Sequence, residues 1–317
     1  MINGILACPK CSIPLNDILH CDLCGKKFKI IDQVPVLLIE EYKILDDNVQ
    51  PTNDSMKELQ MTFYTRVGEY LQGTFELYGN ESAFNYLNFG YYPNNNKQSS
   101  PIELPQYCLN KNSIMLTLEV IGKIDLNGKK VLEVGCGRGG NLLTINEYYK
   151  PELLVGIDIT EFSIRYNIRN HNFNNMHFLV GDAENIPLIS QSFDIVFNLE
   201  SSHAYPNRNK FYHEVKRVLK SGGIFLYSDI LAPEEFMICE LYLRDIGFEV
   251  VRDQDITSNV LLSCDNIANV RKGAFPPTDT ERVNELLDNF VASPESKVYK
   301  SMKSREFIYK VLTLIKK

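Results

Sequence analysis

The chain has 317 residues, 44% of them hydrophobic, and a formal net charge of −7. This length and composition predict at least one full α/β core with a small appendage, and the acidic balance, without any long lysine or arginine run, argues against a nucleic-acid partner. No apolar stretch approaches the roughly 20 residues that span a bilayer, and the N-terminus lacks a secretory pattern. We therefore expect a cytoplasmic protein without a membrane span, and no pattern indicates its oligomeric state.

Half of the eight cysteines are crowded into the first 24 residues. Cys8, Cys11, Cys21 and Cys24 have the spacing C-x2-C-x9-C-x2-C, in which each C-x-x-C turn can present two thiolates to one tetrahedral ion. Four thiolates leave no open coordination position, so the pattern predicts a structural Zn²⁺ site. Residues 1–40 are too few to build a core from their short strands and turns, so the metal would hold them together as a zinc ribbon.

Residues 41–122 are predicted to form a linker and a helical lid. The polar run from Asp46 to Ser55 is typical of a linker. Apolar positions then recur at helical spacing over 56–78. An aromatic segment that includes Tyr91 and Tyr92 ends in a turn-forming run, and a further helix is predicted from about 105 to 122.

The remainder of the chain, residues 123–317, is predicted to be an α/β core. Short apolar runs at 131–135, 153–158, 177–182, 193–199 and 223–229 alternate with helical patterns. Buried strands that alternate with helices predict a Rossmann-like, mostly parallel sheet with helices on both faces. A helical stretch at 280–292 and a strand-like run from Phe307 to Ile315 follow, and we expect this last strand to form an antiparallel edge.

A glycine-rich turn follows the first core strand in the run VLEVGCGRGGN. Gly135, Gly137 and Gly139 would let the backbone approach a ligand closely before a helix begins near Asn141. Asp158 ends the next strand 21 positions after Gly137, where a ribose diol is bound in nucleoside-binding folds. The turn alone also satisfies the dinucleotide fingerprint. A carboxylate at Glu133 would repel a pyrophosphate, but it suits a ligand that carries an ammonium and a sulfonium.

Five motifs occur in a characteristic order: E-x-G-x-G-x-G at 133–139, GID at 156–158, GDAENIP at 181–187, SFDIVFN at 192–198 and EVKRVLKSGGIF at 214–225. From about residue 105 to 230 the chain thus resembles the class I S-adenosylmethionine methyltransferases. The resemblance implies that Glu133 and the glycine turn face the methionine half, that Asp158 binds the ribose, and that Asp182 binds the adenine amino group. The cofactor-binding residues it implies are Glu133, Gly135, Gly137, Gly139, Asp158, Ile159, Asp182, Ala183 and Asn198.

His203 follows the fourth core strand in NLESSHAYP, at the sheet edge where ligands bind in this class of fold. Methyl transfer to a hydroxyl requires deprotonation of the oxygen, and histidine is well matched to that role near neutral pH. Asp229, at the end of the next strand, could orient its imidazole. This stretch resembles bacterial lipid and polyketide O-methyltransferases of the phenolphthiotriol methyltransferase group, and antibiotic-sugar O-methyltransferases. The resemblance implies catalytic roles for His203 and Asp229 and makes Tyr91 and Tyr92 candidate lid residues.

The sequence therefore favours methylation of a hydroxyl on a small-molecule acceptor, namely a lipid, a polyketide or another natural product. Methylation of an RNA base stays open, because the ribbon resembles modules that precede some methyltransferases, including a ribosomal-RNA guanine methyltransferase. A methyltransferase fold used as a cyclase or a partner-binding subunit also stays open, whereas a nicotinamide oxidoreductase is disfavoured. Because the cofactor set lies wholly after residue 130, we expect cofactor binding to be independent of the ribbon.

Overall fold

A computed structural model describes residues 2–45, 55–78, 85–94, 99–274 and 281–317, and most of the linker predicted at 46–55 falls outside these ranges. The strands among them are β1 (Lys29–Ile31), β2 (Val34–Val36), β3 (Lys130–Val134), β4 (Leu153–Asp158), β5 (Met176–Val180), β6 (Phe193–Leu199), β7 (Leu219–Leu231), β8 (Phe248–Asp255) and β9 (Ile308–Lys316). The helices are α1 (Met56–Tyr78), α2 (Lys111–Ile121), α3 (Gly140–Tyr148), α4 (Glu161–Asn170), α5 (Arg208–Val218), α6 (Pro233–Asp245), α7 (Thr257–Ala274), α8 (Glu281–Phe290) and α9 (Lys297–Lys303).

The described strands form a single sheet in the order β1-β2-β5-β4-β3-β6-β7-β9-β8. Strands β3 to β7 pair in parallel with one another, and they are buried because helices cover both faces of the sheet. Helices α5 and α6 pack on one face, and α2, α3, α4 and α7 pack on the other. The predicted Rossmann-like α/β fold is confirmed.

The prediction that the last strand forms the sheet edge is wrong. Strand β9 is antiparallel, as expected, but it lies between β7 and β8. Its side chains are buried or half-buried, with none exposed, whereas those of β8 alternate between buried or half-buried and exposed. The polar sequence of β8, FEVVRDQD, suits an edge strand, and because it lacks a long apolar run it does not indicate a buried strand.

The helix expected from about residue 105 also begins later than predicted, at Lys111. Asn110, immediately before it, adopts a left-handed conformation with φ of 58°, which a helical residue cannot have. Pro105 lies in the irregular segment ahead of it. Residues 105–110 therefore form turns that lead into the helix.

The N-terminal residues join the same sheet. β1 and β2 form an antiparallel pair, and β2 pairs in parallel with β5 through Val36 and Val180. Leu6 forms a further antiparallel bridge with Leu188. The strands of residues 1–40 therefore belong to the same sheet as the strands of the α/β core. Within the described part of the chain, no helix combines the length and the apolar character that crossing a bilayer requires.

Candidate active site

A cavity of about 490 Å³ opens at the carboxyl ends of the parallel strands. Parallel strands end at one edge of the sheet, so residues far apart in the chain meet there. The predicted site residues that line the cavity are Gly135, Gly137, Asp158, Ile159, Asp182, Ala183 and His203. The other four, which are Glu133, Gly139, Asn198 and Asp229, are not among the lining residues. The structure therefore brings the predicted residues together at one cavity, with seven in its lining and four outside the lining.

The glycine turn brings backbone to the cavity wall. Gly135 has a φ of 73°, and a Cβ atom there would lie 1.9 Å from Ser201 Oγ and 2.6 Å from Tyr205 OH. The amide of Gly137 donates a hydrogen bond to Asp158 Oδ2 over 2.9 Å, which ties the turn to the end of β4. Gly139 does not line the cavity, and a Cβ atom there would lie 2.9 Å from the His171 ring and 3.2 Å from Asn167 Oδ1. The turn thus needs glycine because of both its conformation and its close contacts.

Substitution of Gly135 by alanine is expected to destabilise the protein more than substitution of Gly128. Both glycines have positive φ, but a Cβ at Gly128 would meet nothing within 4 Å. The clash with Ser201 and Tyr205 should lower the free energy of unfolding of Gly135→Ala by about 1–3 kcal/mol relative to Gly128→Ala. Denaturant unfolding of the two variants measures this difference. Equal stabilities would show that the turn has room for a side chain.

Glu133 is a buried carboxylate directly behind the turn. Its Oε1 accepts a hydrogen bond from Asn141 Nδ2 over 2.7 Å, and Asn141 lines the cavity. Its Oε2 accepts no hydrogen bond from any described residue. Burial raises the pKa of Glu133 to about 8. A cationic group in the cavity would favour the ionised carboxylate, so the electrostatics here suit a positively charged ligand.

Asp158 and Asp182 lie at the ends of the neighbouring strands β4 and β5. Asp158 Oδ1 accepts hydrogen bonds from the Thr160 amide and hydroxyl, at 2.9 and 2.7 Å. Burial raises the pKa of Asp158 above its ordinary value, although these donors and the Gly137 amide oppose the shift. The amide of Glu184 donates to Asp182 Oδ1 over 2.9 Å. Two carboxylates are therefore fixed where a nucleoside can be bound.

Two residues from the N-terminal part of the chain also contact Asp182. Lys57 of α1 places its Nζ 2.8 Å from Asp182 Oδ1 and 2.7 Å from Glu184 Oε1. Tyr42 OH donates to Asp182 Oδ2 over 3.3 Å. Sequence reasoning missed both residues, because nothing local marks them and they precede Asp182 by 125 and 140 positions.

His203 and Asp229 form a hydrogen-bonded pair beside the cavity. His203 Nδ1 lies 2.7 Å from Asp229 Oδ1, and the His203 side chain is 34% exposed whereas that of Asp229 is fully buried. Ser202 Oγ and the His203 amide donate to Asp229 Oδ2 over 2.6 and 3.0 Å. This arrangement holds the imidazole by Nδ1 and leaves Nε2 as the ring nitrogen available to a ligand.

The electrostatics of this pair favour a charged imidazole. Burial lowers the pKa of His203, but the charge and the hydrogen bond of Asp229 outweigh it and raise the pKa above its ordinary value. Burial likewise raises the pKa of Asp229, but His203 and the other donors outweigh it, so the pKa of Asp229 is lowered. An aspartate that stays ionised next to an imidazole stabilises the imidazolium formed when histidine accepts a proton.

Glu200 is a cavity residue that sequence reasoning missed as a site residue. Its Oε2 accepts hydrogen bonds from the Phe89 amide and from Tyr309 OH, over 3.0 and 2.8 Å. Burial raises the pKa of Glu200 to about 7. Its φ of 50° is unusual for a residue other than glycine. The only sequence signal was its position in the ESSH run after β6, three residues before His203.

The rest of the cavity is mainly apolar. The apolar lining residues come from α1, from residues 86–89, from the ends of β6 and β7, and from the C-terminal helices and the loop after them: Phe63, Val67, Leu87, Phe89, Leu199, Ile230, Leu231, Phe290, Val298 and Phe307. Tyr91 is buried in the core and Tyr92 is 42% exposed. Neither lines the cavity, so these two tyrosines form no part of its wall, and their lid role stays a prediction. Tyr86, Leu87 and Phe89 of the same segment line it instead.

The four N-terminal cysteines form a separate cluster. Their Sγ atoms all lie within 4.8 Å of one another, and those of Cys8 and Cys24 are 3.8 Å apart. Tetrahedral coordination with Zn–S bonds of about 2.3 Å places sulfur atoms about 3.8 Å apart. The turns are fixed by bonds from the Cys11 amide to Cys8 O and from the Gly25 amide to Cys21 O, over 3.2 and 2.8 Å. The cluster therefore has dimensions close to those of a four-thiolate zinc site.

Comparison with known proteins gives consistent matches. The family model described as a methyltransferase domain matches residues 125–274. A fatty-acid O-methyltransferase of Mycolicibacterium smegmatis is 36% identical over 191 residues, which are 56% of this chain and 68% of the relative. A probable phthiotriol/phenolphthiotriol dimycocerosates methyltransferase of Mycobacterium ulcerans is 33% identical over 65% of this chain and 76% of the relative.

Solved structures show the same fold at low sequence identity. The cyclase SpnF has a TM-score of 0.62 at 19% identity, over 84% of this chain and 97% of its own. A cyclopropane synthase of Mycobacterium tuberculosis has a TM-score of 0.55 at 14% identity, over 74% of this chain and 94% of its own. These two proteins are named for different reactions, so the fold alone does not define the chemistry at the cavity.

Proposed function

Because the chain belongs to the S-adenosylmethionine-dependent methyltransferases, we propose that it methylates a hydroxyl oxygen of a lipid, a polyketide or a similar natural product. The observation that carries this proposal is the His203–Asp229 pair, with Nδ1 and Oδ1 2.7 Å apart, at the wall of a largely apolar cavity. The two relatives described above support it, since one is named a fatty-acid O-methyltransferase and the other a probable phthiotriol/phenolphthiotriol dimycocerosates methyltransferase.

The cavity residues fit S-adenosylmethionine. A volume of about 490 Å³ lies within the range of small-molecule pockets. The unsatisfied Glu133 Oε2 suits the cofactor's ammonium, acting beside Asn141, and Asp158 and Asp182 suit the ribose hydroxyls and the adenine amino group. When bound, the cofactor supplies an electrophilic methyl group on a sulfonium. We propose that Gly135, Gly137, Ile159 and Ala183 form its close backbone surroundings, and that Gly139 and Asn198 act from behind the wall.

His203 would act as the general base. Its Nε2 would accept the proton of the acceptor hydroxyl while that oxygen attacks the methyl carbon, and Asp229 would stabilise the resulting imidazolium. The apolar walls would hold the acceptor chain and exclude water from the reacting oxygen. Positioning of the two reactants supplies a large part of the acceleration in such transfers, and His203 adds to it by removing the proton.

The acceptor class can be tested by mass spectrometry. The protein is incubated with S-adenosylmethionine carrying a deuterated methyl group and with long-chain alcohols, hydroxylated polyketides, fatty acids and structured RNA in separate reactions. We expect the label in a hydroxylated lipid or polyketide and none in RNA. Label in RNA bases, or conversion of an acceptor without a gain in mass, as a cyclase would give, contradicts the proposal. Label only in fatty acids would replace the hydroxyl by a carboxylate acceptor.

We further propose that Cys8, Cys11, Cys21 and Cys24 bind one structural Zn²⁺. The spacing of their sulfur atoms supports this, since all four lie within 4.8 Å of one another. Metal analysis of the purified protein should give one zinc per chain. Cys11→Ser should lose the metal, whereas the matched variant Cys108→Ser, outside the cluster, should retain it. Zinc-free wild-type protein, or equal zinc content in the two variants, would exclude the site.

A further inference from the structure

The loop that carries Asp182 and Ala183 is held at both ends by the N-terminal zinc ribbon. Where the loop begins, the amide of Leu37 donates to Val180 O over 3.0 Å, beside the β2–β5 pairing at Val36. Where the loop ends, the amide of Ala7 donates to Pro187 O over 3.0 Å and the amide of Ile189 donates to Ile5 O over 2.9 Å. Backbone from the ribbon thus brackets residues 181–187.

The interior of the ribbon is continuous with the packing beneath this loop. Leu6, Cys8, Cys21, Phe28 and Leu37 of the ribbon lie in one hydrophobic cluster with residues of the loop and its flanks: Leu179, Ala183, Ile186 and Leu188. Leu6 and Leu37 are at most 1% exposed, and Cys8 and Cys21 are fully buried. The ribbon therefore packs directly against the loop that carries Asp182.

The metal ligands are close in sequence to the ribbon residues that hydrogen-bond to the loop. Cys8 directly follows Ala7, whose amide holds Pro187 O. The ribbon has only two strands, each of three residues. With so little regular structure, the ribbon depends on further constraints, and metal ligation by its four thiolates would add one to the hydrophobic cluster that it shares with the loop. Loss of the metal would therefore free the ribbon residues that hydrogen-bond to the two ends of the loop.

A side chain just after the ribbon also reaches the loop. Tyr42 OH donates to Asp182 Oδ2 over 3.3 Å, and Asp182 is 2% exposed. Asp182 is the residue we assign to the adenine amino group. Tyr42 therefore links the segment that follows β2 to Asp182 Oδ2, whereas Lys57 and the Glu184 amide hold Oδ1.

We propose that zinc binding at the cysteine cluster and cofactor binding in the cavity are energetically coupled through residues 181–187. The zinc-loaded ribbon positions the loop so that Asp182 and Ala183 can bind the adenine moiety. The expectation that the ribbon is independent of cofactor binding is replaced by this coupling. The inference goes beyond the methyl acceptor and rests only on the cofactor cavity and the proposed zinc site. Coupling between two sites is reciprocal, so bound cofactor must raise zinc affinity by the same factor by which zinc raises cofactor affinity.

Two equilibrium measurements test this on the full chain. The first is the affinity for S-adenosylhomocysteine, by calorimetry, before and after zinc removal by a chelator. The second is the affinity for zinc, by competition with a chromophoric chelator, with and without saturating S-adenosylhomocysteine. We expect both to change by the same factor, roughly 5- to 150-fold. Cys108→Ser serves as the control and should reproduce the wild-type factor. Affinities that stay within about threefold in both experiments overturn the coupling.

Hydrogen exchange distinguishes local positioning from general destabilisation. Zinc removal should raise amide exchange in residues 181–189 and in the ribbon, while the amides of β6 and β7 stay protected. A uniform loss of protection would overturn the proposal, because the metal would then hold the whole fold. If the zinc-free protein aggregates, zinc release from the loaded protein is compared with and without S-adenosylhomocysteine, and an unchanged rate overturns the coupling.

Tyr42→Phe tests the side-chain contact without touching a metal ligand. Loss of its hydrogen bond to Asp182 should weaken S-adenosylhomocysteine binding by about two- to tenfold, with zinc content unchanged. Unchanged cofactor affinity in Tyr42→Phe would remove this residue from the coupling. Metal analysis that finds no zinc in the wild type excludes the inference together with the zinc site, but it leaves the methyltransferase proposal intact.

Discussion

Replacement of His203 by alanine should lower kcat by about 10²–10⁴-fold, the usual contribution of a general base. The cofactor dissociation constant should change by less than about threefold, because His203 acts on the acceptor proton in the transition state. Steady-state kinetics and calorimetry measure the two quantities. His213→Ala is the matched control, since His213 lies on α5 and hydrogen-bonds Tyr242 rather than lining the cavity. A fully active His203→Ala enzyme would mean that the acceptor does not need a base, so the hydroxyl proposal would have to be abandoned.

The pH dependence of the rate follows from the same pair. Asp229 raises the pKa of His203 above its ordinary value, and the base acts only when the imidazole is neutral. The rate should therefore fall as the pH drops through a value above about 6.5, the ordinary histidine pKa. Asp229→Asn should give a smaller loss of kcat than His203→Ala and should move this fall to lower pH. A profile that is the same in wild type and Asp229→Asn would separate Asp229 from catalysis.

Replacement of Asp158 by alanine should weaken S-adenosylmethionine binding by roughly 1.5–3 kcal/mol, the scale for loss of a charged hydrogen-bond partner. Two losses combine here: the ribose acceptor itself, and the bond from the Gly137 amide to Asp158 Oδ2 that holds the glycine turn. Calorimetry measures the change. Asp194→Ala is a suitable control, because Asp194 accepts from the Lys130 amide at the opposite end of β3. Unchanged binding in Asp158→Ala would place the ribose elsewhere in the cavity.

The site was predictable where its residues stand at the ends of apolar strands. Gly135, Asp158, Asp182, His203 and Asp229 each lie at or near the carboxyl end of a buried strand, and parallel strands bring such positions to one edge. The order of these motifs was enough to indicate the cofactor, because each motif is local and the topology is shared by the family.

Other parts of the site depend on contacts between distant segments. Lys57 and Tyr42 reach Asp182 across more than a hundred residues, and no local pattern marks either one. Glu200 lies in a run that the sequence analysis did examine. Its raised pKa, however, comes from burial among segments that are distant in the chain and meet only in the fold. Strand β8 was missed because its sequence, FEVVRDQD, is largely polar and lacks a long apolar run, although its burial alternates as expected of an edge strand. Contacts between distant segments, and the burial that they cause, could therefore not be predicted from the sequence.

The bond that the transferred methyl group makes in the product tests the central proposal most directly. The enzyme, S-adenosylmethionine labelled in the methyl carbon, and an acceptor identified by mass spectrometry are allowed to react, and the product is examined by carbon NMR. The chemical shift of the labelled carbon distinguishes methyl groups on oxygen, nitrogen and carbon. The account predicts a methyl ether at a hydroxyl of the acceptor, formed by the wild type and much more slowly by His203→Ala. A labelled methyl group on carbon or nitrogen would contradict it.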